Sequence, residues 1–112
     1  MTTPTVAAQA QLDAYNARDI DAFLVPYHPD VVLARLPGDE PFCRGHDEMR
    51  AIYGEKFANT PNLHCRLVNR IAHDRFVVDH EDVTGVPGHE RIGAVAIYEV
   101  VDGLIVKAWF LK

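Results

Sequence analysis

Few residues of this chain are equipped to move a proton or to hold a charge against a bound molecule. Asp79 and Glu81 lie two apart in the run Phe76–Thr84, so on an extended strand their carboxyls share one face. A carboxyl in apolar surroundings is costly unless paired or protonated, and one that is protonated near neutral pH is a general acid/base. Arg35, in the run Val31–Leu36, offers a guanidinium as partner, electrophile or anion anchor. Tyr15, Tyr27 and Tyr53 each carry a hydroxyl that can donate to a ligand carbonyl or, in the blander reading, bond to backbone within a core.

Other chemistries lack their parts. The chain has no serine and no G-x-S-x-G elbow, and Cys43, beside Arg44 and His46, is a lone loop cysteine. Of the six histidines, His46 forms C-x-x-H with Cys43, while adjacent His64 and Cys65 must point to opposite faces of a strand. No H-x-x-x-H or C-x-x-C pair exists, so neither a metal nor another cofactor is expected. Glycine-rich phosphate loops are absent, and Gly85-Val86-Pro87-Gly88 reads as a hairpin turn.

The elements that must position these groups change character near Pro61. Before it the spacing is helical. Thr3-Pro4 reads as a helix start, with Ala8, Gln11, Leu12 and Tyr15 on one face and Asn16 as a stop. Asp19 caps a short second helix ended by Pro26, and Val31–Leu36 reads as a strand. Gly38–Gly45 is loop or a short edge strand. A third helix begins at Gly45 or Asp47, repeats Met49, Ile52, Tyr53 and Phe57, and stops at Asn59-Thr60-Pro61-Asn62.

Four strand-like runs follow: Leu63–Ala72, Phe76–Thr84, Arg91–Val101 and Leu104–Leu111. Asp102-Gly103 between the last two is the strongest hairpin signal. Alternation puts Leu104, Val106, Ala108 and Phe110 on one face of the last strand, with Ile105, Trp109 and Leu111 on the other beside Lys107. Its neighbour carries Val95 and Ile97 opposite Ala94, Ala96 and Tyr98. A sheet apolar on both faces needs two covers, and three short helices supply one. The other is expected to be a second copy of the chain in a homodimer, with Tyr98 and Trp109 packing at the sheet or dimer face.

At 112 residues the chain is expected to be a single domain, residues 1–112, with an α+β architecture. Its 11 basic and 16 acidic residues give a net charge of −5 and no basic cluster, which argues against nucleic acid. No apolar run is long enough to span a membrane, the polar N-terminal segment has no leader pattern, and two cysteines suit a reducing compartment. No membrane partner and a cytoplasmic location are expected.

The order of elements, with YNARDIDAF, PYHPDVVLARLPG, RGHDEMRAIY and the closing VAIYEVVDGLIVKAWF, resembles the nuclear transport factor 2-like superfamily. Within it the chain looks closest to the SnoaL-like and ketosteroid isomerase-like branch. The resemblance spans nearly the whole chain. It implies a cone in which a curved, mainly antiparallel sheet wraps three N-terminal helices, an apolar pocket at the wide end, and a dimer. The same cone hosts isomerases, cyclases, dehydratases, hydrolases and non-catalytic binding proteins, so fold alone names no reaction.

Aligned on Asp19-Ile20, Pro29-Asp30 and Asp102-Gly103, the isomerase's base falls on Arg35, its oxyanion tyrosine on Gln11 and its protonated aspartate on Ala96. None can perform the role, so steroid isomerisation by that route is not expected; supporting tyrosines persist at Tyr27 and Tyr53. The alignment also turns Val77, Asp79, Glu81 and Val83 into the cone, with Arg35 as the natural partner of the two carboxyls. The catalytic set it implies is Asp79, Glu81 and Arg35, with Tyr15, Tyr27, Tyr53, Gln11, Ala96 and Phe110 around a small apolar ligand. Alternation alone leaves the reverse register open, in which these charges form a solvated or interfacial set. The function expected is cofactor-free acid/base chemistry on an apolar, oxygenated ligand; the alternative is a non-catalytic binding or dimeric assembly domain.

Overall fold

The computed structural model describes residues 3–112; Met1 and Thr2, where the polar N-terminal segment starts, lie outside them. Helix α1 (Pro4–Ala17) opens with proline, whose missing N–H costs nothing in a first turn. Thr3 occupies the N-cap position, but its hydroxyl meets that of Thr5 at 2.9 Å instead of capping a helix N–H. Asp19 does cap: its carboxylate accepts from the Ala22 N–H at 3.1 Å and starts α2 (Ile20–Leu24).

Strands β1 (Tyr27–Arg35) and β2 (Glu40–Arg44) precede α3 (Gly45–Asn59), and β3 (His64–His73), β4 (Phe76–Thr84), β5 (Ile92–Val101) and β6 (Leu104–Leu111) follow. They form one six-stranded sheet in the order β2-β1-β6-β5-β4-β3, antiparallel throughout except where β1 lies parallel to β6. Asp102 and Gly103 turn β5 into β6, both with positive φ (52° and 81°), the geometry an Asp-Gly hairpin favours. Gly85 has no room for a side chain: a Cβ there would lie 1.9 Å from the Asn62 carbonyl oxygen.

Strand β1 starts four residues earlier than the Val31 expected from sequence. The Ile105 N–H donates to the Pro26 carbonyl at 2.8 Å, and Tyr27 pairs with Ile105. Pro29, which has no N–H for a ladder, sits where the β1–β6 register is irregular, between Tyr27 and Val32.

The helices cover one face of the sheet, α1 against β3–β6 and α3 against β1 and β2. Between them the Phe23 ring packs against Tyr53, Tyr27, Phe57 and Tyr15, with centroids 4.9 to 6.0 Å apart. Asn16 ties α1 to β3 in both directions, donating to the Cys65 carbonyl at 2.9 Å and accepting from the Cys65 N–H at 2.7 Å.

Two irregularities reset which residues face the core. In β6, Tyr98 pairs with Ala108 and Val100 with Ile105, so an extra residue lies between. That bulge breaks the expected alternation and brings Ile105 into the core together with Ala108. In β3, Leu67 pairs with Glu81 but Arg70 with Asp79. The extra residue turns Arg70 inward after Cys65 and Leu67, where strict alternation would have put it outside. Tyr98 also faces inward, 2% exposed, rather than the sheet exterior.

Candidate functional site

A cavity of about 770 Å³ opens between the helices and the inner face of the sheet. This is within the range of about 300–1,000 Å³ usual for small-molecule sites. Its apolar wall includes Leu12, Phe23, Phe42, Val83, Ala94 and Phe110. Gln11, Tyr15, Tyr27, Tyr53 and Tyr98 add polar atoms, and Glu81 is the one acidic residue lining it.

Glu81 lies on β4 opposite Ala94 of β5 and Leu67 of β3, and only 7% of it is exposed. Burial, and then the charge of Asp79, raise its pKa to about 7. The Cys65 thiol, Arg70 and Lys112 pull it partly back. A carboxyl poised near neutrality can both take up and return a proton. The charge of Glu81 also reaches all four tyrosines, and with burial as the main cause it holds their hydroxyls in the protonated, donor form.

Those hydroxyls are not equivalent. Tyr27 donates to the Gln11 side-chain carbonyl at 3.2 Å, while the Gln11 amide donates to the Ala8 carbonyl at 3.0 Å. Both are thereby locked into the wall. The hydroxyls of Tyr15, Tyr53 and Tyr98 bond to no protein group among the described residues, yet none is a sealed-off orphan. They open onto the cavity. The blander reading, hydroxyls bonded to backbone, therefore does not describe Tyr15 or Tyr53.

The expected pairing of Arg35 with Asp79 does not form. Arg70, which sequence reasoning passed over, takes that place: its Nε and Nη2 donate to the two Asp79 oxygens at 2.7 and 3.0 Å. Its Nη1 donates to the Gln9 side chain at 2.9 Å. Asp79 is fully buried behind the cavity and does not line it, because it is enclosed between β3 and β5. The bulge in β3 was the missing signal, since nothing in the sequence marks where a strand takes up an extra residue.

Arg35 instead lies exposed at the cavity rim, with its guanidinium 4.1 Å over the Phe42 ring. Phe42 packs on Phe110, and Phe110 on Tyr98, at 6.1 and 6.3 Å between centroids. Lys56 of α3 reaches the same space, its ammonium 5.7 Å from the Tyr15 ring and 6.0 Å from that of Tyr53. Ala96 does not line the cavity: it is fully buried beside Asp79 and Phe110, and Ala94 holds the lining position instead.

Among the described residues no group of three or more His, Cys, Asp or Glu side chains gathers in a way that could hold a metal. Cys43 and Cys65 are buried and unbonded to each other, and burial lifts the Cys43 thiol to about 11, far from a reactive thiolate. No helix among the described residues is long and apolar enough to cross a membrane.

The fold is shared with solved structures. A cystatin-fold protein of uncharacterised function from Novosphingobium aromaticivorans superposes with a TM-score of 0.91 at 23% identity, covering 100% of both chains. A SnoaL-like protein of unknown function from Burkholderia thailandensis gives 0.79 at 22% identity, covering 96% of this chain and 91% of that one. A protein from Sinorhizobium meliloti provisionally named a polyketide cyclase gives 0.78 at 15% identity, covering 93% and 92%. No curated protein sequence matches the chain. The family model of the SnoaL-like domain matches residues 8–108, nearly the whole length of the fold described above, and the chain belongs to that family.

Proposed function

We propose that this protein is a cofactor-free acid/base enzyme of the isomerase, cyclase, dehydratase or hydrolase kind. It would act on a small, mainly apolar ligand carrying an oxygen function. The observation that carries this reading is Glu81, a buried carboxyl with a pKa near 7, facing a cavity into which three tyrosine hydroxyls open. Glu81 takes a proton from an acidified carbon or hydroxyl of the ligand and returns it to another atom. A hydroxyl of Tyr15, Tyr53 or Tyr98 donates to the ligand oxygen on which negative charge develops. Asp79 acts through Glu81 by raising its pKa, Arg70 holds Asp79 in place, and Gln11 and Tyr27 shape the wall. The S. meliloti structure's provisional name, polyketide cyclase, is compatible with such a substrate class.

The test is proton exchange, which reads the acid/base step whatever the product turns out to be. A panel of apolar ketones, lactones and polyphenols is incubated in heavy water with the protein and followed by proton NMR. At least one member is expected to gain deuterium beside its carbonyl at a rate that falls by about 10²–10⁴-fold in Glu81→Gln. Ligands that bind and raise the melting temperature, yet show no Glu81-dependent exchange or turnover, would instead make the protein a binding domain.

The protein is further proposed to be one cytoplasmic domain with the cone shape of its family and to act as a homodimer. Support for the dimer comes from the outer sheet face, where Ile71, Val78, Ile97 and Trp109 align in one row across β3, β4, β5 and β6. Such a row is costly to leave in water, and a self-complementary two-fold contact covers it. Light scattering at micromolar concentration is expected to give twice the chain mass; a monomer would remove this part.

A further inference from the structure

The charges around the cavity run against those of the protein. The chain carries a net −5, yet the charged residues lining this space are Arg35, Lys56 and Lys112 against Glu81 alone. Seven ion pairs occur among the described residues, and they engage Arg50, Arg66, Arg70, Arg75, Arg91 and Lys107. None engages a cavity cation. Glu81 is within reach of Lys112's field but in no ion pair with it.

Lys56 is held at some cost: burial first, and then the charge of Lys112, lower its pKa. A half-buried ammonium beside the exposed Lys112 is relieved by an anion placed against it. Both Lys56 and Arg35 also lean on aromatic rings of the same wall, which fixes their charges near Tyr53. A wall of aromatic rings and aliphatic side chains with cations at its edge matches a molecule of the opposite polarity.

We propose that the cavity takes an anionic amphiphile: an apolar ring or chain body seated among Phe23, Val83 and Phe110, with a carboxylate or equivalent anion drawn to Lys56 and to Arg35 at the rim. This rests on the reading of the cavity as a ligand site and specifies the ligand's charge. It makes Lys56 and Arg35 binding residues that set specificity, distinct from the proton transfer assigned to Glu81.

Two fluorescent probes that share one aromatic body decide it, 8-anilinonaphthalene-1-sulfonate and its uncharged counterpart N-phenyl-1-naphthylamine. Both are titrated into the wild type and into Lys56→Met, Arg35→Met and Arg44→Met, the last an exposed arginine away from the cavity. The sulfonate is expected to bind at least about tenfold more tightly than the neutral probe. Lys56→Met and Arg35→Met should each weaken it by about five- to tenfold, while Arg44→Met should not and the neutral probe should be indifferent to all three. Equal binding of the two probes, or losses in Arg44→Met as large as in the cavity variants, overturns the anion assignment and leaves the ligand site standing. Failure of both probes to bind overturns the ligand site as well.

Discussion

Arg70 and Asp79 stand directly opposite each other on β3 and β4, and the guanidinium grips both carboxylate oxygens, at 2.7 and 3.0 Å. The Asp79 side chain is fully shielded and that of Arg70 is 16% exposed. Arg70 satisfies Asp79 behind the cavity, and the two act on Glu81 in opposite directions: Asp79 raises its pKa and Arg70 pulls it partly back.

Breaking that pair should be expensive. Arg70→Met leaves Asp79 buried without a counter-charge and is expected to cost about 3–5 kcal/mol in urea denaturation, whereas Asp79→Asn leaves a half-buried Arg70 that still bonds Gln9 and should cost less. The double variant should cost clearly less than the sum of the two. Arg35→Met combined with Asp79→Asn should be additive, since Arg35 rests on Phe42 and makes no ion pair with Asp79. Strong coupling in that second cycle would contradict the arrangement described.

Removing the Asp79 charge should also move Glu81. Asp79 raises the Glu81 pKa and Arg70 lowers it, so Asp79→Asn removes the raising charge and leaves the lowering one in place. Carbon-13 NMR of the Glu81 carboxyl is expected to show its titration falling from about 7 towards the ordinary glutamate value. No movement would mean that burial alone sets it.

The stability of the fold should carry the signature of Glu81. Its pKa is raised from 4.5 to about 7 on folding, so between those values the unfolded chain ionises while the folded one keeps its proton. Stability from this group is then full below pH 4.5, declines as pH rises to about 7, and is flat above. The loss amounts to about 3 kcal/mol at 1.4 kcal/mol per pH unit. Glu81→Gln should abolish this slope, so the variant gains on the wild type as pH rises from 5 to 8. A pH-independent difference between the two would contradict the assignment.

The tyrosines should separate by hydrogen bonding. Tyr27→Phe leaves the Gln11 carbonyl without its donor in a buried wall and is expected to cost about 1–2 kcal/mol of stability. Tyr53→Phe removes a hydroxyl that bonds to no protein group among the described residues, so stability should change by less than about 0.5 kcal/mol while affinity or turnover drops. Thermal melts with and without a bound ligand distinguish the two behaviours.

Much of this protein is legible in its sequence because periodicity and turn chemistry are local. Pro4, Asp19 and the Asp102-Gly103 hairpin act through their own backbone, and β4 and β6 fall on the bounds that alternation gives. The common face of Val77, Asp79 and Glu81 follows from the two-residue repeat of a strand, and the tyrosines announce donors wherever they fall. The parallel seating of β1 on β6, the bulges in β3 and β6, and hence the inward turn of Arg70 and Ile105 depend on how strands meet across the sheet. A single inserted residue reverses every side chain beyond it, and no residue type marks the insertion. Residue types and local spacing therefore name the proton-carrying and charged groups. Tertiary pairing alone decided that Asp79 answers to Arg70, that Arg35 is left at the rim, and that Glu81 is the carboxyl facing the cavity.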